Sequence, residues 1–160
     1  MEVLIGGVTF TVNTTLTKEF YLSQNKITDD CTCSDCVFFF EKLIKEPFEL
    51  FQILQNLGID IGKNLSTEPT GAWCVRDDNG ELIHCDHAYQ MVGSVRPQDG
   101  NQVQYSKFEK GYRITAIFTP SDPDIIYIAL YIDRVSDDKE FLKYYYEADG
   151  RVNLVKPDEW

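Results

Sequence analysis

The sequence predicts an α+β fold, a mainly antiparallel sheet of about six to eight strands with two helices near the N-terminal third packed on one face. Short stretches of β-branched and aromatic residues, separated by turn residues, recur through most of the chain. Apolar residues at helical spacing fall between residues 34 and 58. No linker, repeat or low-complexity tract divides the 160 residues, so we expect one domain over 1–160.

A hairpin is expected at the N-terminus. The β-forming stretches Val3–Ile5 and Val8–Val12 flank the pair Gly6-Gly7. Two glycines suit the positive backbone angles of a two-residue turn between antiparallel strands. We therefore predict two strands here.

Two helices follow this hairpin. Ser34 or Asp35 can cap the first helix, whose body runs over 37–46 and is rich in phenylalanine. The second begins at Pro47 and ends at Gly58, a residue that commonly terminates helices. Its apolar residues have the i, i+3, i+4, i+7 spacing of one helix face: Leu50, Ile53, Leu54 and Leu57.

The remaining chain has the pattern of β-strands. A hairpin is expected from Ala72–Arg76 and Glu81–Cys85, joined by the turn cluster 77–80. The run 125–132 is apolar on both faces, which is typical of a central strand. Further strands are predicted at Tyr89–Val95, Gln102–Phe108, Tyr112–Thr119, Asp124–Asp133, Tyr144–Glu147 and Val152–Val155.

The charge and the cysteine content indicate the cellular location of the protein and the classes of partner that it can bind. With 15 basic and 26 acidic side chains the formal charge is −11, whereas phosphate backbones are bound by clustered Lys and Arg. We therefore expect neither nucleic acid nor a membrane as partner.

Glu2 stands where a signal peptide would be basic, and no apolar run approaches the roughly 20 residues of a membrane-spanning helix. Five cysteines, an odd number, favour free thiols or a metal over disulfides, so a cytoplasmic location is expected.

The segment from Cys31 to Cys36 is a CxCxxC motif placed where a loop enters a helix. The thiolates of Cys31, Cys33 and Cys36 can converge on one Zn²⁺, because a turn brings neighbouring sulfurs to about 2.3 Å from the metal. A tetrahedral site needs a fourth ligand. We predict His87 for that position, and hence zinc as the cofactor if a metal is bound.

The segment 84–87 supplies that fourth ligand and also contains other candidates. In a regular strand His84 and Asp86 share one face, while Cys85 and His87 share the other. The sequence does not show whether His84 or His87 faces the cysteines.

Two other interpretations of the cysteines stay open. In the first, Cys36 is a small buried residue, Cys31 and Cys33 belong to a capping loop, and the histidines form local hydrogen bonds. In the second, Cys33 and Cys36 are a redox CxxC at a helix N-terminus, where the dipole favours thiolate. The flanking sequence lacks the βαβ pattern of thioredoxin-like proteins.

An enzyme is not expected. Cysteine and histidine are both available, but no recognisable nucleophile setting surrounds them. Pairs of acids such as Asp29-Asp30 and Asp77-Asp78 lie in turn-like stretches, and Gly6-Gly7 lacks the pattern of a phosphate-binding loop.

Several segments resemble a group of small uncharacterised bacterial proteins, and the resemblance covers residues 31–95. They are the CxCxxC segment, the aromatic helix after it, Leu57-Gly58-Ile59-Asp60 and Tyr89-Gln90-Met91-Val92-Gly93. Some small acidic proteins of this general kind are thought to neutralise a toxin. That analogy of size and charge transfers no functional residue.

Together these observations favour a non-enzymatic acidic binding protein, of the immunity type, that inhibits a basic protein partner. Alternation along Tyr144-Tyr145-Tyr146 leaves one or two tyrosines exposed among acids, with Trp160 nearby, as in many protein contacts. The alternative is a thiol-rich domain that uses the CxCxxC segment for zinc binding or redox chemistry. The oligomeric state is left open.

Overall fold

A seven-stranded antiparallel sheet is the main element of the computed structural model, which describes residues 1–65, 72–96, 102–121 and 123–135. Its strands are β1 (Glu2–Ile5), β2 (Val8–Val12), β3 (Trp73–Arg76), β4 (Leu82–Arg96), β5 (Val103–Glu109), β6 (Tyr112–Ser121) and β7 (Ile125–Arg134). The helices are α1 (Thr14–Leu22), α2 (Ile27–Asp30), α3 (Ser34–Glu41) and α4 (Glu49–Asn56), with a 3-10 turn at Leu43–Lys45. The predicted α+β class and antiparallel sheet are confirmed.

The long strand β4 organises the sheet. The strands follow the order β1-β2-β4-β7-β6-β5, and β3 also pairs with β4. β2 and β3 therefore share one edge of β4, with β3 at its start and β2 at its end. β7 lies between β4 and β6, which confirms the prediction that this apolar run is a central strand.

Helix α1 fills the space along β4 between its two strand partners. The hydroxyl of Tyr21 donates to the Gln90 carbonyl at 2.7 Å and accepts from the Gln90 amide at 2.9 Å. The hydroxyl of Thr17 accepts from the Val92 amide at 3.0 Å, and the Asn13 amide donates to the Val92 carbonyl at 2.8 Å. Side chains and the start of a helix thus satisfy backbone groups that would otherwise need another strand.

One hydrophobic core joins side chains from the inner face of the sheet with side chains from the helices. Phe10 of β2 and Phe118 of β6 meet across it with ring centroids 5.1 Å apart, so the sheet is curved. Tyr89 is buried and donates to the Ile61 carbonyl at 2.7 Å. The predicted apolar face of α4 is confirmed, since Leu50, Leu54 and Leu57 are buried and Ile53 packs against them.

Two helices were not predicted, so the described residues contain four rather than two. The sequence of α1, TTLTKEFYL, has three threonines and two aromatic residues, which favour strands when read locally. Its helical state depends on the Asn13 cap, whose side chain accepts from the Leu16 amide, and on contact with β4. The helices meet different parts of the sheet: α1 lies on β4, α3 on β3, and Phe48 before α4 contacts Tyr112 of β6.

Several predicted boundaries were wrong. The strands expected at Glu81–Cys85 and Tyr89–Val95 are parts of β4, which continues through Asp86 and His87 because β7 pairs with it there. Helix α3 ends at Glu41 rather than at Glu46, and the helix predicted from Pro47 begins at Glu49.

Other predictions at this level were confirmed or lie outside the described residues. The turn at Gly6-Gly7 has positive φ angles of 58° and 77°, and Gly58 follows α4 with φ 96°. The predicted strands at 144–147 and 152–155 lie outside the described residues. In the described part of the chain, none of the helices has the length and apolar character needed to cross a membrane.

Replacing Tyr21 by Phe tests whether α1 completes the edge of β4. The substitution keeps the ring but leaves the Gln90 amide and carbonyl without this partner, so we expect a loss of about 2 kcal/mol or more in unfolding free energy. Tyr127→Phe is the matched control, because Tyr127 is an exposed tyrosine of β7, 43% accessible. Urea unfolding, monitored by circular dichroism, measures the unfolding free energy of both variants. Equal effects of the two substitutions would contradict the bridging role of Tyr21.

Candidate metal centre

Helix α3 begins with an unusual cap, which brings the clustered cysteines together. Cys33, rather than the predicted Ser34 or Asp35, is the N-cap residue, and its sulfur accepts a hydrogen bond from the Cys36 amide at 3.5 Å. Helices are usually capped in this way by the oxygen of Ser, Thr, Asp or Asn. Here a thiol takes that position, so Cys33 lies beside Cys36 at the first turn.

The three cysteines of the CxCxxC segment form a compact group. The Sγ atoms of Cys31, Cys33 and Cys36 all lie within 4.8 Å of one another. Cys36 is buried, Cys31 is half-buried and Cys33 is exposed, so the group opens to solvent on one side. Three sulfurs this close can hold one metal ion, since tetrahedral Zn–S bonds are about 2.3 Å long.

The three thiols differ in acidity. The pKa of Cys33 is lowered, chiefly by the Cys36 amide that donates to its sulfur and next by the Cys31 thiol. The pKa of Cys36 is raised to about 12, mainly because burial disfavours its thiolate and also because of its hydrogen bond with Cys33. Without a metal, Cys33 therefore loses its proton more readily than Cys36.

The structure brings three of the four predicted ligands together. Within the described residues, the metal-ligating group contains no histidine, aspartate or glutamate beside the three cysteines. His87 lies on the inner face of β4, with Nε2 3.3 Å from the Lys63 carbonyl oxygen. Its ring packs against Phe39 of α3 at 5.1 Å and against Tyr89 at 4.8 Å.

The other face of β4 has a buried polar cluster around His84. Its Nδ1 lies 2.5 Å from Asp133 and its Nε2 lies 3.0 Å from Asp86, so the predicted sharing of one face by His84 and Asp86 is confirmed. Asp133 was not predicted as part of a site. It meets His84 only through the pairing of β4 with β7, where Asp133 also lies opposite the buried Arg113.

A second pair of thiols was also missed. Cys74 of β3 and Cys85 of β4 are direct cross-strand partners with sulfur atoms 3.1 Å apart, and both cysteines are free. Burial raises the pKa of Cys85 well above its ordinary value. The Cys74 sulfur is 3.8 Å from the Asp35 carbonyl, which places this pair next to the start of α3.

No protein family model, curated protein or solved structure matches this chain. The chemistry of the clustered cysteines is therefore the basis on which a function can be proposed.

The order of thiol reactivity tests this geometry. In metal-free folded protein we expect Cys33 to be alkylated by iodoacetamide at least about tenfold faster than Cys36, because the thiolate is the reactive form. As pH rises, the rate at Cys33 should level off below the ordinary thiol value of 9.0, since its pKa is lowered. Peptide mass spectrometry of timed samples measures each site. Equal rates at both cysteines in folded protein would contradict the assigned acidities.

Proposed function

We propose that this protein binds one soft metal ion, zinc in the first instance, through the thiolates of Cys31, Cys33 and Cys36. The observation that carries the proposal is the mutual approach of the three sulfurs to within 4.8 Å. Thiolates select zinc, copper(I) and iron–sulfur centres among biological metals. Zinc is preferred here because it imposes no redox requirement and accepts tetrahedral sulfur ligands.

Electrostatics supports metal binding at this place. Three thiolates in a small volume repel one another, and the raised pKa of Cys36 reflects the cost of charging a buried sulfur. A divalent cation offsets both costs. Its positive charge attracts the thiolates and favours loss of the proton from each coordinating thiol. The peptide dipoles at the start of α3 add a small favourable field for the negative sulfurs.

The group resembles an open site more than a closed one. Structural zinc sites have four protein ligands, whereas three protein ligands leave a position for water or another molecule. Because Cys33 is exposed, this position is reachable from solvent. We therefore propose a site that exchanges metal or binds an additional ligand.

A dithiol redox role for Cys33 and Cys36 is the second candidate function. The pair combines an exposed thiol of lowered pKa with a buried thiol of raised pKa, which suits attack by the first and resolution by the second. Protein purified without oxygen or chelator separates the two functions. Bound zinc favours the metal site, and zinc-free protein that forms a Cys33–Cys36 disulfide with excess glutathione disulfide favours redox chemistry.

The hypothesis of an acidic, immunity-type inhibitor of a basic protein stays a prediction. The tyrosine segment 144–146 and Trp160 lie outside the described residues. Its test is salt-sensitive association with candidate basic effectors. Association unaffected by salt would contradict the electrostatic argument.

Elemental analysis of protein purified without chelator tests the metal proposal. We expect about one zinc per chain, and thiolate-to-metal charge-transfer absorption when cobalt(II) replaces zinc. Replacing Cys31, Cys33 and Cys36 by Ser should abolish both signals. Cys74→Ala is the matched control, since it removes a buried thiol beside α3 but outside the metal-ligating group. Loss of metal in the control but not in the triple variant would overturn the assignment.

The fourth ligand has its own test. We expect His87→Gln to leave zinc affinity within about twofold, because the His87 ring lies against Phe39 and Tyr89 and outside the group. Competition with a chromophoric chelator measures the affinity. Replacing a residue that supports a metal ligand typically weakens binding about 10–100-fold, so a loss of that size would contradict the placement of His87 outside the site.

A further inference from the structure

We infer that Cys74 and Cys85 form a second functional site, a redox dithiol that reacts with a cationic small-molecule disulfide admitted by a cleft beside β3. The inference is independent of the proposed metal site, because it uses neither its ligands nor a bound metal. It depends on the pairing of the two cysteines, on the access to Cys74 and on the charges around the cleft.

The backbone already has the geometry that a disulfide needs. Cys74 and Cys85 lie directly opposite each other in an antiparallel pair. Such residues have Cα atoms about 4.5–5.5 Å apart, within the range of about 4.4–6.8 Å found in disulfides. The sulfurs are 3.1 Å apart and a bond requires about 2.05 Å, so side-chain rotation is enough to close the gap.

Both thiols are buried, and Cys74 is the one that lies nearer the surface. A cleft of about 530 Å³ is lined by Asp35 and by residues of β3 and its following turn, among them Cys74. Cys74 is 5% exposed and borders this cleft, whereas Cys85 is 1% exposed and does not line it. Cys74 is therefore the attacking thiol, and Cys85, behind it, is the resolving thiol.

The lining of the cleft favours a positively charged substrate. Three carboxylates line it: Asp35, Asp77 and Asp78. Arg76 pairs with Asp35 and Arg134 pairs with Asp77, so the formal charge of these five side chains is −1 and Asp78 carries it. The formal charge of the whole chain is −11, so its long-range field acts in the same direction. A disulfide with amino groups should therefore enter more readily than one with carboxylates.

The exchange balances without any further reactant. The Cys74 thiolate attacks one sulfur of the disulfide, a Cys74–S–S–R bond forms, and the released thiolate takes up the proton that Cys74 lost. Cys85 then attacks the Cys74 sulfur, the mixed disulfide breaks, and the second thiol leaves with the proton from Cys85. Two protein thiols are oxidised to one disulfide, and one substrate disulfide is reduced to two thiols.

Cystamine, a disulfide with two amino groups, is the probe. Reduced protein is treated with cystamine, free thiols are alkylated, and peptides are mapped by mass spectrometry without reduction. We expect a Cys74–Cys85 linked peptide in the wild-type protein and in the variant in which Cys31, Cys33 and Cys36 are Ser. If that variant does not fold, the peptide map of the wild-type protein is sufficient to test the inference. Absence of the linked peptide in wild-type protein would overturn the inference.

Single substitutions test the order of the two steps. Cys85→Ser should stop the reaction at a cysteamine adduct on Cys74, whereas Cys74→Ser should react at least about tenfold more slowly at the remaining thiol. An adduct that appears first on Cys85 would contradict the assigned roles. The triple variant lacks the proposed metal ligands, so a failure of the metal proposal leaves this result unaffected.

The choice of substrate tests the charge argument. At low salt we expect cystamine to react about tenfold faster than glutathione disulfide, which is anionic, and we expect salt to reduce the difference. Equal rates at low salt would overturn the assignment of a cationic substrate.

Discussion

A backbone amide or carbonyl that is buried without a partner costs about 1–3 kcal/mol, and β4 is a fifteen-residue strand with two edges to satisfy. One edge pairs with β7 from His84 to Val92. The other is shared by β3, α1 and β2. Most other elements therefore take their positions from β4: the N-terminal hairpin at its end, helix α1 along its middle, and β3 at its start.

The same constraint positions the cysteines. β3 is held on the edge of β4, and α3 packs on β3 with sulfur–carbonyl contacts in both directions. Cys36 approaches the Ala72 carbonyl at 3.7 Å, and Cys74 approaches the Asp35 carbonyl at 3.8 Å. All five thiols of the chain consequently belong to the α3–β3–β4 region, in two groups with different surroundings. One group opens to solvent with a lowered pKa at Cys33, and the other is buried behind a cleft.

Much of the sheet, of α4 and of the three-cysteine group could be predicted from the sequence, because each depends on residues close together in the chain. Alternating β-formers mark strands, the spacing of Leu50, Leu54 and Leu57 marks one helix face, and a CxCxxC segment brings its thiols together at a turn. Helix α1 could not be predicted in this way. Its threonines and aromatics favour a strand locally, and the partners of Tyr21 and Thr17 lie 69 and 75 residues away in β4.

By itself the sequence determined the α+β class, the acidic charge, the central position of the run 125–132 and the three clustered cysteines, since local pattern and composition are sufficient for these. Only the tertiary structure decided the pairs Cys74–Cys85 and His84–Asp133. A regular hairpin with its turn at 77–80 would place Cys74 opposite Ile83. Instead Arg76 pairs with Leu82, which shifts the register by one residue, and an irregularity between Val75 and Arg76 adds a second, so Cys74 lies opposite Cys85. His84 meets Asp133 across 49 residues of chain, because the register between distant strands depends on the packing of the whole sheet.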